Sequence, residues 1–345
     1  MANVRAEMDA FPPISAPKPP GLLRQIVKHR YEYLYIAPAI GVMGLVILYP
    51  LIYTILLSFF NTPANNPNVF FNGVSNYIEL AQDNLLGLVI RNTLYWTFGS
   101  TITSFALGLL AALLLNQRLP GSGIFSAIMV IPYVIGQVTA AYLWRWLMHG
   151  DFGVISLTLM EMGLLDRPIS FLQDPALVMT SLVIVNTWKS FPFAMIMLLA
   201  GLQAIPQDLY KAARVDGANR FQQFIEITVP QLMPVILVTS VLLIIGNMNS
   251  FTIPYLMTGG GPAHQSELVI TWVYNESFQA LRFGFASAIS VALFIVTLVA
   301  WIFLVAGTAD PTWTQSELSQ GGFTLEYGVG LFKTCVRVCY HCCLL

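Results

Sequence analysis

Six long apolar stretches decide what this chain can fold into. Each has about the 20 residues that a helix needs to cross the ~30 Å hydrocarbon layer of a bilayer. The stretches are Tyr35–Phe60, Asn92–Leu115, Phe125–Trp144, Leu177–Ala200, Gln231–Pro254 and Phe285–Ala306. Only 10% of the residues are charged, against about 25% in soluble domains. The sequence therefore predicts an all-α polytopic membrane protein with six transmembrane helices.

The distribution of Lys and Arg predicts how these helices are oriented. Cytoplasmic loops carry an excess of Lys and Arg. With the N-terminus inside, the inner segments hold Arg5, Lys18, Arg24, Lys28, Arg30, Arg118, Lys211, Arg214, Arg220, Lys333 and Arg337, and the outer ones Arg91, Arg145, Arg167 and Arg282. This bias predicts both termini and the loop 201–230 in the cytoplasm. The first thirty residues lack an apolar core, so no cleavable signal peptide is expected.

One polar segment, Tyr210–Pro230, interrupts the apolar pattern. We predict two short helices joined at Asp216-Gly217, the first beginning at Pro206, because proline suits the first helical position. Gly217 can adopt the left-handed conformation that ends a helix, and Asn219 can cap the next one. Predicted faces of these helices comprise Leu209, Ala212, Ala213 and Asp216 in the first, and Phe221, Phe224, Ile225 and Thr228 in the second.

Two such short helices need something to pack against. Isolated helices shorter than about 12–15 residues are marginal in water, so this segment must dock either on the protein's own spans or on a partner. An amphipathic segment lying on the bilayer is an alternative. A DNA-binding role is disfavoured, because three basic and three acidic residues in 206–230 leave no excess positive charge for phosphates.

The same segment resembles a known signature. Ala212-Ala213, Asp216-Gly217-Ala218, Ile227 and Pro230 resemble the cytoplasmic loop of permease subunits in bacterial ABC importers, which reads Glu-Ala-Ala, three residues, Gly, nine residues, Ile-x-Leu-Pro. Lys211 and Val229 replace the usual Glu and Leu. Further stretches, among them RNTLYWT, NTWKSFPFAMIMLLAGLQAIP and IPYLMTGGGP, are similar to the maltose-type sugar permeases.

This resemblance implies a function and a set of partners. It implies a non-enzymatic subunit of the bacterial inner membrane that works with two ABC ATPase subunits, a second homologous permease and an extracytoplasmic sugar-binding protein. Its cargo would be a mono- or oligosaccharide or a related polyol. The coupling residues implied are Lys211, Ala212, Ala213, Asp216, Gly217, Ala218, Phe221, Phe224, Ile227 and Pro230. The chain lacks G-x-x-x-x-G-K-[ST], so ATP and Mg²⁺ are expected on the ATPase and no cofactor on this chain.

Polar residues inside the apolar stretches are candidates for the sugar path. Intramembrane polar groups are costly and face a cavity or the bundle interior. The candidates are Asn186, Trp188, Lys189, Asn247 and Asn249. Amides and aromatic faces suit a hydroxyl-rich ligand. Two alternatives stay open: Lys189 could be held by backbone carbonyls or a partner carboxylate, and the Asn residues could bond between helices.

Two further segments complete the organisation. The glycines of Thr258–Pro262 allow close backbone approach, so this outer loop either contacts the binding protein or forms a plain turn. Residues 1–34 are predicted to be a cytoplasmic segment, 35–306 the permease domain, and 307–345 an atypical, aberrant or disordered tail. In that tail, Leu318–Gly322 resembles an ATPase signature by chance. The remaining candidates there are Cys339, His341, Cys342 and Cys343, too closely spaced for a predicted zinc site.

Two other functions compete with a permease subunit. A stand-alone secondary transporter usually places acids or broken helices at the membrane midplane, and none of the six apolar stretches contains Asp or Glu. A membrane scaffold or receptor would use the polar loop to recruit a different protein. An ATPase bound through this loop would distinguish the permease from both.

Overall fold

The computed structural model describes residues 30–62, 70–117 and 121–308. The chain is mostly helical, with one short antiparallel hairpin pairing Phe60 with Phe71. In chain order the helices are α1 Arg30–Met43, α2 Tyr49–Leu57, α3 Ser75–Gln82, α4 Asn84–Leu115, α5 Ser122–Val134, α6 Gln137–Leu147, α7 Val154–Glu161, α8 Val178–Ala204, α9 Gln207–Val215, α10 Arg220–Gln223, α11 Val229–Met248, α12 Thr252–Thr258, α13 Val269–Tyr274 and α14 Phe283–Thr308. Single π turns join α1 to α2 and α10 to α11 and follow α13.

Four helical segments among the described residues are long and apolar enough to cross a membrane, or five if a bent pair counts as one span. The four are Tyr35–Leu57, Asn84–Leu115, Val178–Ala204 and Arg220–Thr258. Each overlaps a predicted stretch. The sixth predicted stretch lies in α14, of which Phe283–Val299 is a shorter apolar helix. The membrane-protein class is thus supported, and the count of six spans remains a prediction.

The third predicted stretch, Phe125–Trp144, is not one continuous helix. It consists of α5 and α6, whose axes meet at 93°. Pro132 lies inside α5, and Ile135 and Gly136 then take extended conformations with ψ near 130° and 144°. Proline removes a backbone donor and weakens the helix around it, and the helix ends where Ile135 and Gly136 leave the helical conformation. Hydropathy alone does not detect such a bend.

The core lies where α4 crosses α8. The face of α4 that is buried there carries small and hydroxyl side chains, which let two helices approach closely in a membrane protein. The buried positions are Thr97, Ser100, Thr101, Ser104, Gly108, Ala111 and Ala112. They meet a face of α8 that includes Leu182, Ala194 and Leu198, all fully buried. Close packing of their backbones therefore fixes α4 and α8 against each other.

The closest approach in this core predicts the effect of a single added methyl group. A Cβ at Gly108 would lie 2.6 Å from Ala194 Cβ and 2.9 Å from the backbone nitrogen of Met195. Because neither neighbour can rotate away, Gly108→Ala should destabilise the protein by about 1–3 kcal/mol. The unfolding temperature of the variant in detergent, compared with that of the parent chain, measures this loss of stability.

A second glycine on α4 supplies the control. A Cβ at Gly99 would meet Val183 side-chain carbons at 3.5 Å, an ordinary contact, and alanine favours helix over glycine by about 1 kcal/mol. Gly99→Ala should therefore leave the unfolding temperature unchanged or raise it. Equal losses in both variants would contradict the close approach at Gly108.

Candidate functional site

The first half of the polar loop forms the helix that its local signals predict. Pro206 immediately precedes α9, and Gly217 follows it with φ of 83°. The Ala218 N–H donates to Ala213 O at 2.9 Å, and the Gly217 N–H donates to Arg214 O at 3.2 Å. This pair of bonds is the Schellman motif, which satisfies the carbonyls at a helix end.

The second half differs from the prediction. Asn219 does cap the next turn, in a reciprocal capping box with Gln222. However, the chain does not form a separate short helix: it passes through a π turn, Phe224–Thr228, directly into α11. Pro230 lies two residues after this π turn, in the first turn of α11, so its missing N–H falls where the regular hydrogen-bond ladder is already interrupted. The loop is therefore one short helix and a glycine turn, joined to the extension of a spanning helix.

The loop docks on the protein's own spans. The Tyr210 and Thr228 hydroxyls are hydrogen-bonded at 2.9 Å. Tyr210 and Ile227 pack against the buried cluster that contains Leu202 and Leu232. These contacts supply the packing that a helix of nine residues needs to be stable.

Several apolar side chains of the loop are exposed. Val215 is 87% exposed and Phe221 71% exposed. Ala212 is exposed as well, while Ala213, Ala218 and Phe224 are half-buried. Exposed apolar residues on a folded polar segment mark an interaction surface. We call this surface, formed by Leu209, Ala212, Val215, Phe221 and Ile225, the loop surface.

The charged groups of α9 are largely paired with each other. Lys211 Nζ donates to Asp208 Oδ1 at 2.8 Å, with both side chains mostly exposed. Arg214 Nε donates to Tyr210 O at 3.2 Å. Such exposed pairs contribute only about 0–1 kcal/mol. The positive charge of Lys211 is therefore partly neutralised by Asp208.

Two of the predicted path residues meet in a buried network. Asn186 on α8 donates through Nδ2 to Asn247 Oδ1 at 2.8 Å. Asn247 on α11 in turn donates to Thr101 Oγ1 at 3.0 Å, and Trp96 Nε1 donates to Asn247 O at 2.9 Å. The amides therefore join α4, α8 and α11. This arrangement corresponds to the interhelical alternative for Asn186 and Asn247.

The other predicted path residues lie apart from this network. Lys189 is only 9% exposed; its Nζ donates to Tyr133 O at 2.7 Å and lies 5.3 Å from the Tyr133 ring centroid. Trp188 packs edge-on against Trp144 at 5.4 Å. Both therefore face the bent pair α5 and α6. Asn249 is exposed, bonding only to Ile245 O of its own helix.

The glycine loop after α12 is built around a buried acid that the sequence analysis missed. The Glu267 side chain accepts from Asn275 Nδ2 at 2.8 Å and pairs with His264, and a Cβ added at Gly260 would lie 3.3 Å from it. Asn92 on α4 donates to the His264 and Glu267 carbonyls. A signal was present, since Glu267 is the only carboxylate in residues 253–274. These bonds fold 259–275 into a fixed cap over α4.

A charged group borders this cap. Arg282 pairs with Glu79 from α3 and, at 3.5 Å, with Glu276. Burial raises the pKa of Glu276 above its ordinary value, and the Arg282 charge opposes that rise. No group of His, Cys, Asp and Glu suited to a metal ion occurs within residues 30–62, 70–117 and 121–308. The Cys339–Cys343 cluster and Leu318–Gly322 lie outside the described residues.

The fold and these sites define a multi-span helical membrane protein with one exposed loop between two spanning helices. The chain belongs to the family described as binding-protein-dependent transport system inner membrane component, whose model matches residues 86–313. The family resemblance read from the sequence is therefore confirmed.

Relatives and solved structures agree with this family. The chain is 34% identical to the trehalose/maltose transport system permease protein MalF of Thermococcus litoralis, over 77% of this chain and 89% of that one. It is 31% identical to the lactose transport system permease protein LacF of Rhizobium radiobacter, covering 80% and 94%. A crystal structure of a bacterial ABC transporter that imports the acidic polysaccharide alginate matches with TM-score 0.70 and 26% identity, covering 83% and 97%.

Proposed function

We propose that this chain is the transmembrane subunit of an ATP-driven sugar importer in the bacterial inner membrane. The observation that carries the proposal is the loop surface, where Val215 of α9 and Phe221 of α10 are exposed on a loop stabilised by the protein's own spans. Family membership and the sugar names of relatives support it. The subunit performs no covalent chemistry.

In this proposal the loop couples to a separate ATPase. Two ATPase subunits bind ATP and Mg²⁺, and one of them receives α9 and the Gly217 turn. The proposed contact set comprises Lys211, Ala212, Ala213, Asp216, Gly217, Ala218, Phe221, Phe224 and Pro230. Ile227, predicted with them, packs against the spans instead and holds the loop in place. Small side chains at Ala212 and Ala213 allow a partner surface to approach the helix backbone closely, as small residues do between packed helices.

The remaining parts of the proposal concern the path. The chain has six spans, with both termini and 201–230 in the cytoplasm. These spans pair with a second homologous permease. The sugar path runs near Asn186, Trp188, Lys189, Asn247 and Asn249. An extracytoplasmic binding protein delivers the sugar. A solved structural relative, at 25% identity, is an alginate transporter in complex with a periplasmic protein that holds an alginate pentasaccharide. Residues 1–34 and 307–345 flank this permease domain.

Helix α11 gives the proposed coupling a physical route. Its N-terminal end holds the loop through the bond between Thr228 and Tyr210, and its C-terminal end carries Asn247 in the buried network. A 20-residue helix spans about 30 Å. A rigid movement imposed on the loop would therefore reach the network directly.

The decisive experiment combines co-purification with uptake. The full chain, co-expressed with a candidate ABC ATPase and second permease from the same genome, should retain the ATPase in mild detergent. Reconstituted vesicles should take up maltose, trehalose or lactose only with ATP and the binding protein. ATP-independent uptake would indicate a secondary transporter. Retention of a different protein through the loop, with no ATPase, would indicate a scaffold or receptor.

Reversing the charge at Lys211 tests how the partner receives α9. Lys211→Glu should change stability by no more than about 0.5 kcal/mol, since it removes an exposed pair. It also places a second acid three residues from Asp208, which costs only a few tenths of a kcal/mol at an exposed site. We expect ATPase co-purification and uptake close to the parent values, because the family's usual residue at this position is Glu.

Asp208→Asn is the control for this experiment, because it breaks the same pair without reversing the charge of residue 211. It should also retain the ATPase. Loss of ATPase binding in Lys211→Glu alone would contradict the expectation and show that the partner surface matches a positive charge.

A further inference from the structure

A continuous row of aromatic rings lies beyond the C-terminal end of α11. The Phe251 and Tyr255 rings stack at 4.7 Å between centroids, and Tyr255 meets Tyr274 at 4.6 Å. Tyr274 then contacts Phe278 at 5.0 Å, and Phe278 contacts Phe283 at 6.4 Å. We call these five residues the aromatic ladder. It links α12, α13 and the start of α14, three elements distant from the loop surface.

The ladder begins beside a predicted path residue. Asn249 ends α11 and is exposed, and Phe251 follows two residues later. Since α11 runs about 30 Å from the polar loop, the ladder lies at the end of the molecule opposite that loop. In the proposed orientation this is the extracytoplasmic end, from which a sugar would arrive.

The ladder combines partly exposed aromatic rings with hydroxyl groups. Phe278 is 64% exposed, and Phe251, Tyr255 and Tyr274 are half-buried. Gln279 Nε2 donates to the Tyr255 hydroxyl at 3.4 Å. A side-chain hydrogen bond with Tyr255 raises the pKa of Tyr274. Aromatic rings beside two tyrosine hydroxyls and the Gln279 amide match a ligand that has both C–H faces and hydroxyls.

A membrane-interface belt is the competing explanation. Belt Tyr and Trp residues sit at the headgroup level with polar tips in water. In the ladder the rings instead pack on each other across three elements, and the Tyr255 hydroxyl bonds within the protein. With Asn249 at one end and Gln279 near the other, this arrangement favours a polar ligand over lipid.

We propose that the aromatic ladder is a sugar-binding subsite, separate from the buried amide network, which holds pyranose rings on their way to Asn249. This inference rests on the proposed sugar transport and adds a second binding position to it. Aromatic contacts of this kind change binding by about two- to tenfold per ring. Such a subsite is weak enough to release its ligand onward.

The test is direct binding to the full chain in nanodiscs. Maltose, trehalose and lactose serve as probes in saturation-transfer difference NMR. We expect magnetisation transfer from the protein to the pyranose-ring protons of at least one of these sugars. Tyr255→Leu combined with Tyr274→Leu should weaken the apparent affinity roughly tenfold or more. Tyr142→Leu, which removes a 54% exposed tyrosine of α6 outside the ladder, should bind like the parent chain.

Phe278→Leu guards against a folding defect, because this exposed ring can be lost without disturbing the core; it should weaken binding by about two- to tenfold. No transfer to any probe, or unchanged affinity in the double variant and in Phe278→Leu, would overturn the inference. Uptake tests the proposed function separately. If sugar binding depends on the ladder but ATP-driven uptake is not observed, the importer is refuted and the subsite stands. If uptake is observed but sugar binding does not depend on the ladder, only the subsite is refuted.

Discussion

Gly217→Pro should sharply reduce ATP-driven uptake while leaving membrane insertion intact. Gly217 has φ of 83°, whereas proline is fixed near −65°. The substitution also removes the N–H that donates to Arg214 O. Together these changes misdirect the chain between α9 and the capped turn at Asn219. The loop surface would lose its shape, and uptake in reconstituted vesicles should fall about tenfold or more.

Two matched substitutions separate backbone conformation from other effects. Gly217→Asn should keep much of the activity, because asparagine tolerates the left-handed region better than other residues. Gly246→Ala adds a methyl group to α11, where no atom lies within 4 Å, and should be neutral. Parent-like uptake and ATPase co-purification in Gly217→Pro would refute the coupling role of the loop.

The parts of the structure that the sequence predicted well depend on local chemistry. Pro206, Gly217 and Asn219 each act on their own backbone neighbours, so their roles in starting, ending and capping helices could be read from residue type. Long apolar stretches likewise identify spans because the bilayer imposes their length. The family signature at Ala212–Ala218 could likewise be recognised from a short run of neighbouring residues.

The parts that the sequence did not predict depend on contacts between distant residues. Nothing local states that Asn186 bonds to Asn247, 61 residues away, or that Asn92 holds the glycine cap. The bend between α5 and α6 was missed because hydropathy averages over Pro132 and Gly136. The continuity of α10 with α11 was missed because the polar segment ending at Pro230 and the apolar stretch beginning at Gln231 were treated as separate elements, whereas a π turn joins them.

Substitution within the buried amide network should lower the stability of the protein, whereas substitution of the exposed Asn249 should not. Asn247→Leu leaves the Asn186 amide and the Thr101 hydroxyl without their partner. An unsatisfied buried polar group costs about 1–3 kcal/mol, more than the average of about 0.6 kcal/mol for an interhelical bond in a membrane. Thermal unfolding should therefore show a clear loss of stability, and any loss of uptake should accompany it.

Asn249→Ala separates the path from the scaffold. Asn249 is exposed and bonds only to Ile245 O of its own helix, so its removal should change stability by no more than about 0.5 kcal/mol. If it contacts sugar, the KM for uptake should rise while ATPase co-purification stays normal. Unchanged uptake would remove Asn249 from the path. A stable Asn247→Leu variant with selective loss of uptake would instead transfer the path role to Asn247, because a purely structural amide cannot lose function without losing stability.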